Sequence, residues 1–442
     1  MGCAAALCIP GASHATTYLD SEVAHTGDLA PGTGGGTFSY LEQTRINDAG
    51  DVAFYSRADT GSADPMGLFV SEGGVIRALV FLGDPVVPPL SGTVQQILSL
   101  ERVPAFNNHG DFAFQGSLTS LPSRGVYRGG AAGITAVAVE GDPAPAPLVG
   151  TFSFVGQGGM DLNDAGDLVF GGRAGAPSVD VLLRDSGGVL SAIAWEGGLA
   201  PGGSTYTGFG GPTVNARGDI AFSAAVGTER IVVLVVDGVG ELVASRGDIA
   251  PGTGGGTYQD FNHRVAVDDS GRVVFRASVS SGSQSHGIFR YAAGSVTAIA
   301  IPGGPAPGLP GGILDYLPHA PFSSHSGSVV MPAFVDSDGS SQRALYVELG
   351  DGSLERVRLE GDPAPGGGIF GELGQRPTIN SDGVVSFASE LSDGGTGVFV
   401  SVRAAPVPAL RGAAKYLAVA GLLLSGVLAS VLRAHAAASD AA

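Results

Sequence analysis

The chain has 442 residues, with 73 glycines and 27 prolines, and 14% of its residues are charged while 44% are hydrophobic. This composition excludes intrinsic disorder, which goes with low hydrophobicity and high charge, and it favours many short strands joined by Gly/Pro turns. The formal net charge of −18 argues against a nucleic-acid partner, because neutralising phosphates needs clustered Lys and Arg side chains.

The first fifteen residues, MGCAAALCIPGASHA, are small and apolar. Ser13 and Ala15 fit the −3 and −1 positions of a signal-peptidase site, so residues 1–15 are interpreted as a signal peptide, complete or truncated at its start. The alternative is a disordered N-terminus. Cys3 and Cys8 are the two cysteines of the chain, so cleavage after Ala15 would leave a protein that needs neither disulfides nor a reducing compartment.

Two sequence markers recur seven times each, with a period of about 50 to 60 residues that is typical of propeller blades. The first is N-x-x-G before an apolar run ending in Phe, with degenerate copies at residues 268–271 and 324–327. Its Asn and Gly are Asn47 and Gly50, Asn107 and Gly110, Asn163 and Gly166, Asn215 and Gly218, and Asn380 and Gly383. The second marker, GDLAPG or GDPAPG and here called the GD box, begins at Gly27, Gly83, Gly141, Gly197, Gly247, Gly303 and Gly361, some copies being weaker.

Each repeat reads as four strands. A short first strand ends at the Asn, and the turn NDAG connects it to a second strand such as DVAFYSRA. A third strand follows, as in GLFVSEGG, and a fourth strand ends at the GD box. Four strands make one propeller blade, so residues 16–402 are predicted to form an all-β, seven-bladed β-propeller. The second strands are apolar at successive positions, which indicates that both sheet faces are covered.

The two ends of the repeat region are complementary. The last repeat lacks a fourth strand, whereas TYLDSEVAHTGD precedes the first GD box without three strands before it. We therefore expect the N-terminal strand to pair with the last blade, which closes the ring and removes its open edges.

The N-x-x-G turn has two interpretations. Asn side chains bond their own backbone in Asx turns and Gly accepts positive φ, so a structural turn suffices. The string DLNDAGD also resembles the start of a calcium loop, but it offers few oxygen ligands and lacks a closing acidic residue. We predict no metal or other cofactor, while calcium stays an open alternative.

The GD boxes place five carboxylates at equivalent positions, in loops that join one blade to the next. In propellers, that face usually binds ligands. One interpretation is a ring that attracts a cation or a polyhydroxylated ligand, and the other is that each Asp caps its own turn. The residues are Asp28, Asp84, Asp142, Asp248 and Asp362.

Enzymatic chemistry has little support in the sequence, and no catalytic residue is predicted. No pair of carboxylates is marked out as a glycosidase pair, and the eight histidines show no metal-ligand spacing. The Ser-rich stretch SSGSQSH, residues 280–286, is interpreted as a loop. The Gly-rich strings precede strands rather than helices, which argues against a phosphate-binding loop.

The C-terminus contains a second candidate localisation signal. Residues 403–415 are interpreted as a linker and residues 416–433 as a transmembrane helix, the apolar run extending from Tyr416 to Leu432, followed by a tail, 434–442. The alternative is a buried core helix. Basic residues on both sides, Arg411, Lys415 and Arg433, leave its orientation weakly specified.

The strings NDAGDVAF, NNHGDFAF and NARGDIAF resemble those of bacterial NxxGxxAF tandem-repeat proteins, called choice-of-anchor proteins, over roughly residues 17–402. The tail resembles a PEP- or IPTL-type sorting signal, with its motif at Val407, Pro408, Ala409 and Leu410 and the basic residue Arg433. This resemblance implies export and recognition by a membrane sorting enzyme. Only one Arg follows the apolar run, where typical tails end in an Arg cluster, so simple anchoring is the alternative.

Together these features predict an exported protein of the cell surface or extracellular matrix. The leading hypothesis is a monomeric, non-catalytic binding module for extracellular polysaccharide or a surface protein, with membrane attachment through the C-terminal helix. The alternatives are a surface glycan hydrolase or lyase and a structural surface-layer component.

Overall fold

The computed structural model of this chain describes residues 18–61, 63–87, 91–98, 104–120, 124–374 and 376–404. The predicted signal peptide (1–15), sorting motif (407–410), membrane helix (416–433) and Arg433 lie outside the described residues. Within those ranges, no helix is long and apolar enough to cross a membrane.

The strands form seven separate sheets, each of which is one blade. The first strand, β1, spans Tyr18–His25. Blade 1 follows with β2 (Thr37–Ile46), β3 (Val52–Asp59), β4 (Met66–Glu72) and β5 (Val75–Val80). Blade 2 contains β6 (Val94–Leu98), β7 (Ala105–Phe106), β8 (Phe112–Leu118), β9 (Gly125–Gly130) and β10 (Gly133–Val139). Blade 3 contains β11 (Phe152–Leu162), β12 (Leu168–Ala174), β13 (Val179–Ser186) and β14 (Val189–Trp195).

The next two blades each have a first strand in two pieces. Blade 4 contains β15 (Gly208–Phe209), β16 (Thr213–Val214), β17 (Ile220–Val226), β18 (Glu229–Val236) and β19 (Val239–Ser245). Blade 5 contains β20 (Thr257–Phe261), β21 (Ala266–Val267), β22 (Val273–Ser280), β23 (His286–Ala292) and β24 (Ser295–Ala300).

The last two blades follow the same plan. Blade 6 contains β25 (Ile313–Tyr316), β26 (Phe322–Ser323), β27 (Val329–Asp336), β28 (Ser341–Glu348) and β29 (Leu354–Leu359). A short 3₁₀ helix, Pro365–Gly367, precedes blade 7, which contains β30 (Phe370–Leu373), β31 (Thr378–Ile379), β32 (Val385–Leu391) and β33 (Thr396–Arg403). The predicted all-β, seven-bladed propeller of four-stranded blades is confirmed.

The N-terminal strand lies in the sheet of blade 7. β1 pairs antiparallel with β33, from Tyr18 opposite Arg403 to His25 opposite Gly397, with a bulge between Glu22 and Ala24. The strand order of this sheet is β1-β33-β32-β30, so its fourth strand comes from the opposite end of the sequence.

Aromatic side chains form the centres of the blades. Phe54 in β3 lies opposite Phe69 in β4, with ring centroids 5.9 Å apart, and Phe275 lies opposite Phe289 in the same way at 5.8 Å. Small side chains allow neighbouring blades to approach, since the fully buried Ala221 of blade 4 packs in one cluster with Phe275 of blade 5. Both faces of a second strand are therefore buried, which explains its continuous apolar run.

The first strands of successive blades contact one another around the propeller axis. Arg45 of blade 1 and Asp161 of blade 3 form an ion pair there at 3.1 Å. Asp161 also accepts a hydrogen bond from the backbone N–H of Val214 in blade 4, at 3.0 Å. The connections between blades, with their GD boxes, lie at one end of the ring, which we call the GD face, and the N-x-x-G turns lie at the opposite end, the turn face.

Candidate functional site

The five GD-box carboxylates each accept a hydrogen bond from the backbone N–H three residues earlier. The donors are His25 for Asp28 (2.8 Å), Phe81 for Asp84 (2.7 Å), Val139 for Asp142 (2.9 Å), Ser245 for Asp248 (2.8 Å) and Leu359 for Asp362 (2.9 Å). Each bond fixes the turn that leaves the fourth strand. Across the part of the chain that the structure describes, no three His, Cys, Asp or Glu side chains are grouped so that they could hold a metal ion.

The N-x-x-G turns have the Asx geometry expected of them. Oδ1 of Asn163 accepts the backbone N–H of Asp167 at 2.8 Å, and Gly166 has φ of 83°, a conformation that Gly adopts without strain. The same positive φ occurs at the other predicted turn glycines, which are Gly50, Gly110, Gly218 and Gly383.

The amide nitrogens of these Asn side chains connect the blades, which the sequence does not predict. Each Nδ2 donates to the backbone carbonyl of the equivalent residue in the next blade. The bonds are Asn47 to Asn107 (3.3 Å), Asn107 to Asn163 (3.0 Å), Asn163 to Asn215 (2.8 Å), Asn215 to Asp268 (2.8 Å) and Asn380 to Asn47 (3.1 Å). The two remaining links use other side chains. The Arg272 guanidinium in blade 5 donates to the backbone carbonyl of Ser326 in blade 6 at 2.8 Å, and the Ser326 hydroxyl donates to the backbone carbonyl of Ser381 in blade 7 at 3.2 Å.

An additional contact between two side chains joins blades 1 and 6 at the turn face. Nδ1 of His325 lies 3.4 Å from Oδ2 of Asp48. The hydrogen bond lowers the pKa of the Asp48 carboxyl and raises the pKa of the His325 imidazole. The enclosed space beside them measures about 20 Å³, which is enough for one water molecule. The space beside Asp48 and His325 is therefore too small for a ligand larger than water.

A larger cleft opens on the GD face, and we call it the blade 4–5 cleft. Its volume is about 600 Å³, within the usual range for ligand sites. Its polar lining includes Gln157, Asp180, Thr207, Arg230, Asp260, Asn262, His263 and Arg276, and Phe209 and Phe261 contribute aromatic rings. Gln157, Thr207, Asp260 and His263 are exposed, while Asn262 and Arg276 are half-buried.

Close backbone contacts between three blades shape this cleft. A Cβ atom added to Gly211 of blade 4 would lie 1.8 Å from the carbonyl oxygen of Gly158 in blade 3, and one added to Gly210 would lie 2.1 Å from that of His263 in blade 5. The backbone N–H of Gly211 donates to the His263 carbonyl at 2.8 Å. These glycines let three first strands meet beside the cleft.

The carboxylates of the cleft are paired. Asp260 lies 3.5 Å from Nε of Arg230, and Asp180 lies 3.1 Å from Nε of Arg173. Burial raises the pKa of Asp180, against the opposing effect of Arg173. The Ser223 hydroxyl donates to the backbone carbonyl of His263 at 3.3 Å rather than to its imidazole ring, so these two residues do not form a nucleophile–base pair.

The structure gives His286 a position that the loop interpretation of SSGSQSH did not predict. His286 begins β23 and is 5% exposed. Its Nε2 accepts the backbone N–H of Leu317 in blade 6 at 2.9 Å. Burial lowers its pKa to about 4. The residue links two blades in its neutral form.

A model of a protein family of unknown function, DUF7453, matches residues 12–182 and 86–403. The chain belongs to this family. The matched ranges together include every strand that the structure describes in this DUF7453 protein. Membership assigns no activity, because the function of the family is unknown. None of the curated proteins matches the chain.

Several solved structures are similar to this DUF7453 propeller. A puromycin-hydrolyzing peptidase from Mycobacterium tuberculosis is 11% identical with a TM-score of 0.46, over 82% of this chain and 51% of the peptidase. The acylaminoacyl peptidase from Pyrococcus horikoshii is 11% identical with a TM-score of 0.46, over 84% and 53%. TolB from Acinetobacter baumannii is 11% identical with a TM-score of 0.35, over 82% and 78%. The chain spans about half the length of the two peptidases, and these similarities supply no activity for it.

Proposed function

We propose that this protein is a non-catalytic module that binds an extracellular polysaccharide in the blade 4–5 cleft. The observation that carries the proposal is the lining of an open space of about 600 Å³ by amide, hydroxyl, carboxylate and guanidinium groups beside aromatic rings. Sugar hydroxyls both donate and accept hydrogen bonds, which such planar polar groups can match. Sugar rings pack against aromatic side chains, and the half-buried Phe209 offers one here, whereas Phe261 is 7% exposed and packs in the core.

The five GD-box carboxylates support this choice of site indirectly. Each Asp accepts a bond from its own turn, as Asp28 does from His25, so a structural role accounts for their repetition. The cleft lining is not repeated from blade to blade, since the position six residues before the turn Asn or Asp is Gln157 in blade 3, Asn262 in blade 5 and Gly374 in blade 7. A single binding site normally breaks the symmetry of a repeat protein in this way.

The proposal includes export and attachment. The resemblance to NxxGxxAF tandem-repeat proteins and the apolar residues 416–432 favour a cell-surface or matrix location, with the C-terminal segment as membrane anchor or sorting signal. Because β1 supplies the fourth strand of blade 7, each blade takes its four strands from one chain and needs no strand from a second chain. We propose a monomer on the same ground.

A second candidate function rests on Asp180. A carboxyl group whose pKa is raised by burial can act as a general acid, and Asp260 lies in the same cleft. A surface glycan hydrolase would use these two residues. The binding module is preferred because an Arg side chain holds each carboxylate in an ion pair.

The experiment measures retention of the purified chain on the producing organism's extracellular polysaccharide, with calcium and with chelator, and assays released sugar in the same tubes. We expect retention without sugar release. Gln157→Ala, which changes an exposed cleft residue, should weaken retention roughly tenfold, the equivalent of one hydrogen bond. Gln259→Ala, an exposed residue of β20 that does not line the cleft, is the matched control and should bind normally.

Sugar release would overturn the binding module in favour of the hydrolase. Loss of sugar release in Asp180→Asn would then identify Asp180 as the general acid. Retention that survives Gln157→Ala unchanged would move the site away from the cleft. Loss of retention in the presence of chelator would indicate a calcium-dependent site. If the protein is retained on no polysaccharide, the polysaccharide-binding function is wrong, and a surface-protein partner or a structural role is favoured instead.

A further inference from the structure

We propose that the blade 4–5 cleft selects saccharides that carry a carboxylate, and that Arg276 binds this group. The inference rests on the proposed function and names the class of its ligand. The inference is based on Arg276, because no described carboxylate pairs with its charge and neutral side chains make the same structural contact in other blades.

The Arg276 guanidinium is held in place from one side. It lies in β22 and is half-buried. Its Nε donates to the backbone carbonyl of Leu317 in blade 6 at 2.5 Å, and its Cζ lies 5.7 Å from the centroid of the Tyr316 ring. Because Nε is engaged, Nη1 and Nη2 form the edge available to a ligand, and two parallel N–H donors match the two oxygens of a carboxylate.

No carboxylate among the described residues forms an ion pair with Arg276. The two acidic residues of the cleft are each paired elsewhere, Asp260 with Arg230 at 3.5 Å and Asp180 with Arg173 at 3.1 Å. Burial lowers the pKa of Arg276, and an anion bound at Nη1 and Nη2 would offset that cost.

The fold does not need a charge at this position. The residue that follows the Phe of the second strand is Gln115 in blade 2 and Ser223 in blade 4, and both are neutral. Each donates to a backbone carbonyl of the next blade, Gln115 to Val155 and Ser223 to His263. Arg276 makes the same link through Nε. A neutral side chain therefore fulfils the structural role, and the additional charge points to a ligand.

The experiment compares retention of the full chain on polygalacturonate and on methyl-esterified polygalacturonate, which has the same backbone without the charge. The wild type should prefer the carboxylate form roughly 10- to 100-fold, the range for hydrogen bonds to a charged group. Arg276→Gln, which copies blade 2, should abolish this preference and keep the melting temperature. Arg276→Lys should keep part of the preference. Arg246→Gln, an exposed arginine outside the cleft lining, is the control and should behave as the wild type.

Equal retention on the two polymers, or a preference that survives Arg276→Gln, would overturn this inference and leave the binding module standing. Failure to bind either of these polymers or the producing organism's polysaccharide would overturn the proposed function and the inference with it. Dextran sulfate serves as competitor. Competition as strong as that of polygalacturonate would contradict carboxylate selection and indicate general binding of polyanions.

Discussion

Nδ2 of Asn163 in blade 3 donates a hydrogen bond to the backbone carbonyl of Asn215 in blade 4, at 2.8 Å. Oδ1 of the same side chain accepts the backbone N–H of Asp167 in its own turn. One amide thus satisfies the local turn and the neighbouring blade together. This double role explains the Asn in five of the seven turns, since Asp offers the acceptor without the donor.

Asn163→Asp should destabilise the propeller by about 1 to 3 kcal/mol, because it removes the inter-blade donor and places a carboxylate against a buried carbonyl oxygen. The measurement is equilibrium denaturation in urea. Ala165→Ser, an exposed change in the same turn, is the control and should stay within about 0.5 kcal/mol of the wild type. A loss for Asn163→Asp no larger than the control's would contradict the role of the inter-blade bond.

Asp20→Ala should cost about 3 kcal/mol of stability, as expected when one partner of a buried ion pair is removed. The Asp20 carboxylate in β1 pairs with Arg358 in blade 6 at 2.5 Å, and the two side chains are 9% and 12% exposed. Arg358 also donates to the Tyr18 carbonyl at 2.8 Å. The variant therefore tests how firmly the N-terminal strand is held.

Thermal unfolding measures this effect, with Asp64→Ala as the matched control. Asp64 pairs with Arg57 at 3.9 Å, and its side chain is 47% exposed, so its removal should cost less than about 1 kcal/mol. Similar losses for both variants would show that β1 contributes little to the stability of blade 7.

Gly211→Ala should prevent normal folding or lower stability severely, because its Cβ would lie 1.8 Å from the Gly158 carbonyl oxygen and the overlap would have to shift two backbones. Gly208→Ala is the control in the same blade, since its nearest neighbour would be the Ala225 Cβ at 3.9 Å. Soluble yield and melting temperature check both. A normal melting temperature for Gly211→Ala would contradict the close approach of blades 3 and 4.

The stability of the protein should fall as the pH drops from 6.5 toward 4 because of His286. Burial, assisted by Arg276, lowers its folded pKa to about 4, so neutral His286 contributes its full stability above the unfolded pKa of about 6.5. Protonation below that pH favours the unfolded chain. The loss should approach about 3 kcal/mol at pH 4.

The measurement is the free energy of unfolding against pH for the wild type and His286→Gln. The variant keeps an acceptor for Leu317 N–H but does not titrate, so the difference between the two curves should grow as the pH falls. Parallel curves would contradict the buried, neutral imidazole.

Local patterns in the sequence predicted the blades and the Asx turns well. The Asn–Gly spacing specifies a turn within four residues, and Gly166 and Asn163 have the geometry that the pattern indicates. The partner of Asn163 Nδ2 lies 52 positions away, and only the assembled ring brings it near. The choice between two roles for Asp28 stayed open for the same reason, since the bond from His25 N–H depends on the exact turn.

The blade 4–5 cleft could not be predicted, because Gln157 lies in blade 3, Asn262 and Arg276 lie in blade 5, and the three residues share no motif. One signal for it exists in the repeats. Arg276 follows Phe275 at a position where Gln115 and Ser223 are neutral, and such a departure from a repeat marks a position with an individual role. His286 gave no comparable signal, because its burial results from the packing of blade 6 against blade 5.

The central claim is that the cleft on the GD face binds a polysaccharide, and hydrogen–deuterium exchange with and without the polymer tests it most directly. Bound polymer should slow exchange in the cleft segments 207–210 and 260–263, while the turn-face segments around Asn47 and Asn163 should exchange as in the free protein. Protection confined to the turn face or to the GD boxes, with the cleft unchanged, would contradict the account.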